Sequence, residues 1–171
     1  EIGPVARKYD LWLHVDAALA GTAAILPEKR WIFDGLSHAD SLVFNPHKWM
    51  FTNFDCSAFY VKDPDHLERT MAIHPEYLKT GRNREVTNYM DWGIQLGRRF
   101  RALKLWFVLR NFGAAKIREM IAGHLALAVD FAGWVDADPA WERLAPVPLN
   151  TVCFRYKPAG VTDEQELATI N

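Results

Sequence analysis

Residues 11 to 16 alternate, with Leu11, Leu13 and Val15 on one side and Trp12, His14 and Asp16 on the other. That period of two predicts a β-strand. A second apolar run, Ser41-Leu42-Val43-Phe44, predicts another strand. Residues 57–62, Ser57-Ala58-Phe59-Tyr60-Val61-Lys62, predict a third that returns antiparallel. Between the first two lie small residues at 17–24, a break at Pro27 and the apolar trio Trp31, Ile32 and Phe33. A crossover of this length suits two neighbouring parallel strands, which would bring Asp16 and Lys48 to the same sheet edge. Ligands of open α/β sheets sit outside the carboxyl ends of the strands. Residues 1–9 read as the end of a helix, with Pro4 tolerated only in its first turn or before it.

Further along, Asp63-Pro64-Asp65 predicts a short helix with Asp63 as N-cap and Pro64 in first position. Residues 76–92 change character, and Thr80-Gly81-Arg82-Asn83-Arg84-Glu85 is polar and rich in turn formers, the composition of a surface loop. Residues 97–112 form a helical pattern that becomes apolar nearly all round, which predicts a buried helix capped by Gly113. A second helix is expected over 115–135, with Ile117, Ile121, Leu125 and Val129 on one stripe. After Asp136-Ala137-Asp138-Pro139 the pattern predicts a loop, then a strand over 151–156. Thr162-Asp163-Glu164-Gln165 is a capping-box pattern that opens a last helix.

Charge and composition narrow the function classes. The net charge is −1 over 171 residues, with no basic stripe, so nothing points to nucleic acid. The seven Trp and ten Phe argue against disorder. No run reaches the length of a membrane span, and no signal peptide is visible. The two cysteines, Cys56 and Cys153, have neither metal nor disulfide spacing, so both are expected to be unbonded in a reducing, cytoplasmic compartment. Walker A, GxGxxG, HExxH, zinc spacings and a GxSxG elbow are absent from the sequence, and no metal is implied.

The chemistry concentrates after the second strand, in Asn45-Pro46-His47-Lys48-Trp49. Lys48 has two readings. Its stem could pack on Trp49 while the head reaches water. Alternatively, the apolar neighbours Trp49, Met50 and Phe51 partly desolvate the ammonium, and the neutral amine so favoured forms a Schiff base with a carbonyl. Asp16 closes an apolar strand and is followed by small residues, as for a carboxylate facing a cavity; the alternative is a strand-end acid that caps a helix. An amine and a carboxylate on one sheet edge are what pyridoxal phosphate requires, one for its aldehyde and one to keep its ring nitrogen protonated.

Together, His14-Val15-Asp16-Ala17-Ala18, Asn45-Pro46-His47-Lys48-Trp49 and Asn53-Phe54-Asp55-Cys56-Ser57-Ala58 resemble the aromatic-L-amino-acid decarboxylases, within the group II pyridoxal-phosphate-dependent decarboxylases. Pro75-Glu76-Tyr77-Leu78-Lys79 and Leu96-Gly97-Arg98-Arg99-Phe100-Arg101 extend the resemblance. It implies an α/β fold: part of the mostly parallel large domain of a fold-type-I pyridoxal-phosphate enzyme over 1–104, then a linking helix and the start of a smaller α+β C-terminal domain over 105–171. Family chains are much longer. With no initiator Met at Glu1 and a helical pattern running into Asn171, an internal fragment is expected, inactive by itself.

The resemblance also implies roles. Lys48 would hold the cofactor, Asp16 its ring nitrogen, and Asn45 its phosphate, while Ala18 would lie against the flat face of the ring. His47 would either donate to the phosphate or merely pack. His14 is either a satisfied core histidine or a hydrogen-bond partner that orients Asp16. Residues 76–92 would form a lid, two residues shorter than in animal relatives, with Tyr77 returning a proton to the α-carbon. Read from the residues themselves, Arg98, Arg99 and Arg101 are expected to form ion pairs holding the lid base in preference to a phosphate clamp, and Cys56 to be an ordinary buried thiol. The expected activity is decarboxylation of an aromatic amino acid of the tyrosine, DOPA or tryptophan class by a homodimer. The alternatives are an aldehyde-forming or a glutamate- or cysteine-sulfinate-type enzyme. His47, Trp49 and the Phe54–Ala58 run favour the aromatic class; Leu19, where relatives commonly carry Tyr, departs from it.

Overall fold

In the computed structural model, residues 1–72 and 87–171 are described. They fall into two compact units, one comprising Glu1–Thr22 and Phe33–Val108, the other Ala23–Ile32 and Leu109–Asn171.

The first unit begins with helix α1 (Ile2–Lys8), which carries Pro4 in its first turn, where the missing N–H costs no hydrogen bond. Strands β1 (His14–Asp16) and β2 (Ser41–Phe44) pair in parallel, with His14 opposite Ser41 and Asp16 opposite Val43. The crossover contains short 3-10 turns at Ala20–Ile25, Pro27–Phe33 and Leu36–His38. Gly21 is required where this path returns over the sheet: a Cβ there would stand 2.9 Å from the Cβ of Phe44. The predicted strand over 11–16 is thus shorter than its alternation suggested. Before His14 the chain is held by both main chain and side chains: Leu13 O accepts the Asp40 N–H (2.8 Å), Trp12 Nε1 donates to Ser41 Oγ (2.9 Å), and the Leu13 N–H donates to Asp40 Oδ2 (2.8 Å).

After β2 a single helical turn, α2 (Pro46–Trp49), precedes β3 (Ala58–Val61), which pairs antiparallel to β2 with Phe44 opposite Ala58. The sheet order is β1-β2-β3, so the sheet is mixed. The diagonal pair Phe44 and Tyr60 stacks at 6.3 Å, as residues sharing one face of an antiparallel pair do. Helix α3 (Pro64–Met71) starts as expected, the Asp63 carboxylate accepting the Asp65 N–H at 3.0 Å.

Helix α4 (Ala102–Ala137) is interrupted at Gly113, whose φ of 71° and ψ of 161° are not helical. The glycine stands where a cap was expected, in a conformation that a side chain would strain. Burial of the 97–112 segment does not follow: Leu103, Trp106, Phe107 and Leu109 are exposed. Apolar composition states a need for burial, and only a packed neighbour can meet it. By length and mean hydropathy (1.2) α4 could also cross a membrane, contrary to the reading that no run does. Within the second unit, however, Ile117, Ile121, Ala128, Ala132 and Val135 recur on one buried face, while Lys116, Arg118, Glu119 and Asp130 share the same segment. The other side carries exposed apolar residues as well, Leu127, Val129 and Trp134.

In that unit the residues after Pro139, expected to be a loop, contain strand β4 (Trp141–Arg143), which pairs antiparallel with β5 (Phe154–Tyr156). Three residues offer too little alternation to be legible as a strand. The pairing places Trp141 against both Phe154 and Tyr156, with ring centroids 5.6 and 5.2 Å away. Helix α5 (Glu164–Ile170) is capped by Asp163, which accepts from Gln165 N–H (3.0 Å) and Glu166 N–H (2.9 Å), and buries Leu167. Arg155 bridges β5 to Glu142 on β4 (2.7 Å) and to Glu164 on α5 (2.7 Å).

Candidate active site

The site lies at the carboxyl ends of β1 and β2, and main-chain pairing builds it. Beyond Asp16 the ladder continues: the Ala17 N–H donates to Val43 O (2.9 Å) and the Asn45 N–H to Ala18 O (2.9 Å). The Asp16 carboxylate turns back to accept the Ala18 N–H at 2.9 Å. Asp16, Ala18 and Asn45 are therefore joined by consecutive hydrogen bonds across the end of the parallel pair. Ala18 presents only a methyl group, and Leu19 beyond it is exposed.

The Asn45 amide does not cap α2; its Oδ1 accepts from Ser57 Oγ at 2.5 Å, which leaves its amide nitrogen as the donor. In the turn that follows, Pro46 and Trp49 are buried, three residues apart on one face. Lys48 falls on the other face and is exposed. The apolar surroundings expected around Lys48 are thus taken up by Trp49, whose larger surface wins the inward position.

The His47 imidazole is held by one residue. Its Nδ1 lies 3.0 Å from the Cys56 nitrogen, whose N–H points at it, and 2.7 Å from the Cys56 carbonyl oxygen. The ring also meets Phe54 edge-on, with centroids 4.9 Å apart. His14, on the same side of β1 as Asp16, is partnered instead by Ser41 Oγ (2.8 Å) and stacks near Phe59; it is exposed, so it is neither a core histidine nor a partner of Asp16.

Arginines 99 and 101 do form ion pairs, and the partner is Asp55: Arg99 approaches Oδ1 at 2.5 Å, Arg101 Nε approaches Oδ2 at 2.9 Å, and Lys104 Nζ is 3.9 Å from Oδ1. Arg98 instead lies over Gly93. The Arg101 hydrogen bond is the main reason that the Asp55 carboxyl is held below the usual carboxylate range. Cys56 is buried, and burial pushes its thiol up, against the smaller pull of Lys104; it is the unreactive thiol expected. Neither Cys56 nor Cys153 is bonded. Ser41, Ser57 and Asp55 escaped the sequence reading because each acts through a partner remote along the chain. Tyr77 and the loop around it lie outside the described residues.

These donors fit pyridoxal phosphate. An exposed amine suits its aldehyde, a strand-end carboxylate its ring nitrogen, and the amide of Asn45 and Nε2 of His47 its phosphate. Around them is the α/β architecture of the fold-type-I pyridoxal-phosphate decarboxylases. Residues 1–157 match the pyridoxal-dependent decarboxylase conserved domain, and the chain belongs to that family. It is 49% identical to tyrosine decarboxylase 4 of Petroselinum crispum, over 98% of this chain and 34% of that protein. Against the aromatic-L-amino-acid decarboxylase of Drosophila melanogaster it is 46% identical, over 100% of this chain and 34% of the relative. The crystal structure of Oryza sativa TDC with PLP and tryptamine superposes with a TM-score of 0.90 at 40% identity, covering 97% of this chain and 35% of that one. The chain thus spans about a third of the length of the relatives it matches.

Proposed function

We propose that the protein to which this chain belongs is a pyridoxal-phosphate-dependent carboxy-lyase, converting an aromatic L-amino acid of the tyrosine, DOPA or tryptophan class to its amine and carbon dioxide. The observation that carries the reading is the run of hydrogen bonds from Asp16 through Ala18 to Asn45, one turn before Lys48, at the carboxyl edge of a parallel strand pair. The similarity to a plant tyrosine decarboxylase and an insect aromatic-L-amino-acid decarboxylase supports the substrate class.

When bound, pyridoxal phosphate supplies a sink for the electrons left behind by the departing carboxylate. The chain's own residues do the rest. Lys48 would hold the aldehyde through its exposed amine. Asp16, as a carboxylate, keeps a proton on the ring nitrogen, and its bond from Ala18 N–H fixes where that charge stands. Ala18 leaves room for a flat ring. Asn45 and His47 offer N–H donors to a phosphate. Tyr77, a phenol that stays protonated at neutral pH, returns a proton to the α-carbon. We place 1–104 in the cofactor-binding large domain and 105–171 in the linking helix and small domain. The reading includes a homodimer acting in the cytoplasm; unbonded Cys56 and Cys153 agree with a reducing compartment.

Borohydride reduction of the native protein, followed by peptide mass spectrometry, tests the assignment. A phosphopyridoxyl group on the Lys48 peptide is expected; its appearance on another lysine, or on none, would overturn it. Tyr77→Phe is expected to keep cofactor and carbon dioxide release while aldehyde replaces most of the amine. Amine formed by that variant at the parent rate would leave Tyr77 as an anchor only.

A further inference from the structure

Asp55 is faced by three cations, Arg99, Arg101 and Lys104, none of them near it in sequence. The next residue, Cys56, sends its Sγ toward the carbonyl oxygen of the same Arg101, at 3.8 Å. Two successive residues of the loop are thus fastened to the segment that opens α4.

The main chain of Cys56 is what holds His47. Its N–H points at Nδ1, and its carbonyl oxygen lies 2.7 Å from Nδ1 while accepting the main-chain N–H of His47 at 3.2 Å. A neutral ring with a bare Nδ1 accepts the amide hydrogen. A ring protonated at Nδ1 donates to the carbonyl. In either state Nδ1 is engaged and the ring keeps its direction, so that Nε2 alone is left for a ligand. Such a ring can turn only if the Cys56 peptide moves, and that peptide follows Asp55 directly.

We propose that Asp55 is a positioning residue for His47: clamped by Arg99 and Arg101, it fixes the Cys56 peptide, which in turn fixes the imidazole so that only Nε2 faces the cofactor phosphate. The part concerning phosphate rests on the functional reading above; the coupling from Asp55 to His47 does not. Asp55 touches no reacting atom in this arrangement. It acts through main chain, as groups that orient a ligand-binding histidine do.

The test measures hydrogen–deuterium exchange at the imidazole C2 carbon, histidine by histidine, by peptide mass spectrometry on the cofactor-free full-length protein. Affinity for added pyridoxal phosphate is measured in parallel by equilibrium dialysis. In Asp55→Asn the exchange of His47 is expected to rise about fivefold, the size of one lost hydrogen-bonded restraint. His14 and His124 are expected to keep their parent rates, and the affinity for pyridoxal phosphate to fall by a similar factor. Asp55→Glu, which keeps the charge, is expected to restore much of the parent behaviour. Arg101→Gln removes one clamp from the other side and carries the same test should Asp55→Asn fail to fold. Asp136→Asn breaks the exposed pair with Arg143 and is expected to leave His47 unchanged. A parent-like rate at His47 in Asp55→Asn or Arg101→Gln overturns the proposal, whatever happens to affinity. So does an equal rise at His14 and His124, which would make Asp55 a general stabiliser. A parent protein that binds no pyridoxal phosphate fails the functional reading alone, since exchange at His47 is read without it.

Discussion

Asp55 and Arg155 sit in electrostatic settings of opposite sign, one in each unit. Asp55 is a carboxylate between two guanidinium groups, and Arg155 is a guanidinium between two carboxylates. The partners of Asp55 are 44 and 46 residues away in sequence; those of Arg155 are 13 and 9. The Arg155 cluster therefore closes short loops, tying a hairpin to the first turn of the helix that follows, where ordering costs little entropy. The Asp55 cluster closes longer ones and fastens the loop whose Cys56 peptide meets His47. Two similar sets of hydrogen bonds thus serve different ends. Topology assigns one to holding a fold and the other to aiming a side chain.

The sharpest separation is expected at the site itself. In the full-length protein, Lys48→Ala should remove nearly all of the proposed decarboxylase activity and the visible absorbance of the bound cofactor. Because Lys48 is exposed, the melting temperature of the cofactor-free protein should barely move. A large loss of thermal stability in this variant would mean that the lysine holds structure as well. The converse is expected in the second unit, where Ile121 is fully buried. Ile121→Ala should cost about 2–5 kcal/mol in urea unfolding, through lost burial and the cavity left behind. A cost below about 1 kcal/mol would mean that the helix face repacks freely.

Acid should distinguish the two charge clusters. Arg101 chiefly lowers Asp55, and Arg155 chiefly lowers both Glu142 and Glu164. In the unfolded chain these carboxyls take up protons near pH 4; in the folded protein they do so at lower pH. Between the two values the unfolded state binds more protons, so stability falls as pH falls, and each contribution is complete above about pH 5. Arg155→Gln releases two carboxyls and should flatten the acid limb of the urea midpoint more than Asp55→Asn, which removes one. The opposite order would reverse the comparison. The smallest effect belongs to Lys116, which pairs with Glu119 three residues on at the surface: Lys116→Ala should leave the melting temperature unchanged within error.

Much of this was legible in the chain because the signals are local. Alternation marked β1, and short runs marked β2 and β3; Asp63 and Pro64 marked the start of α3; Gly113 marked the break in α4. The length of the crossover was enough to make β1 and β2 parallel, and that alone carries Asp16 and Lys48 to one edge. Other features had no local signal. A three-residue strand such as β4 shows no period, and it exists because Trp141 meets Phe154 and Tyr156 across the hairpin. Lys48 points outward because Trp49, one position on, takes the buried side of a four-residue turn. His47 and His14 find Cys56 and Ser41 because a loop and the start of β2 bring a main-chain peptide and a hydroxyl there. Asp55 was visible only as one letter of a motif, and the arginines that clamp it lie on a segment whose approach no spacing announces. Residue type and period determined which groups could act and on which edge; direction and partnership depend on chain closure over tens of residues, and only the tertiary structure decided them.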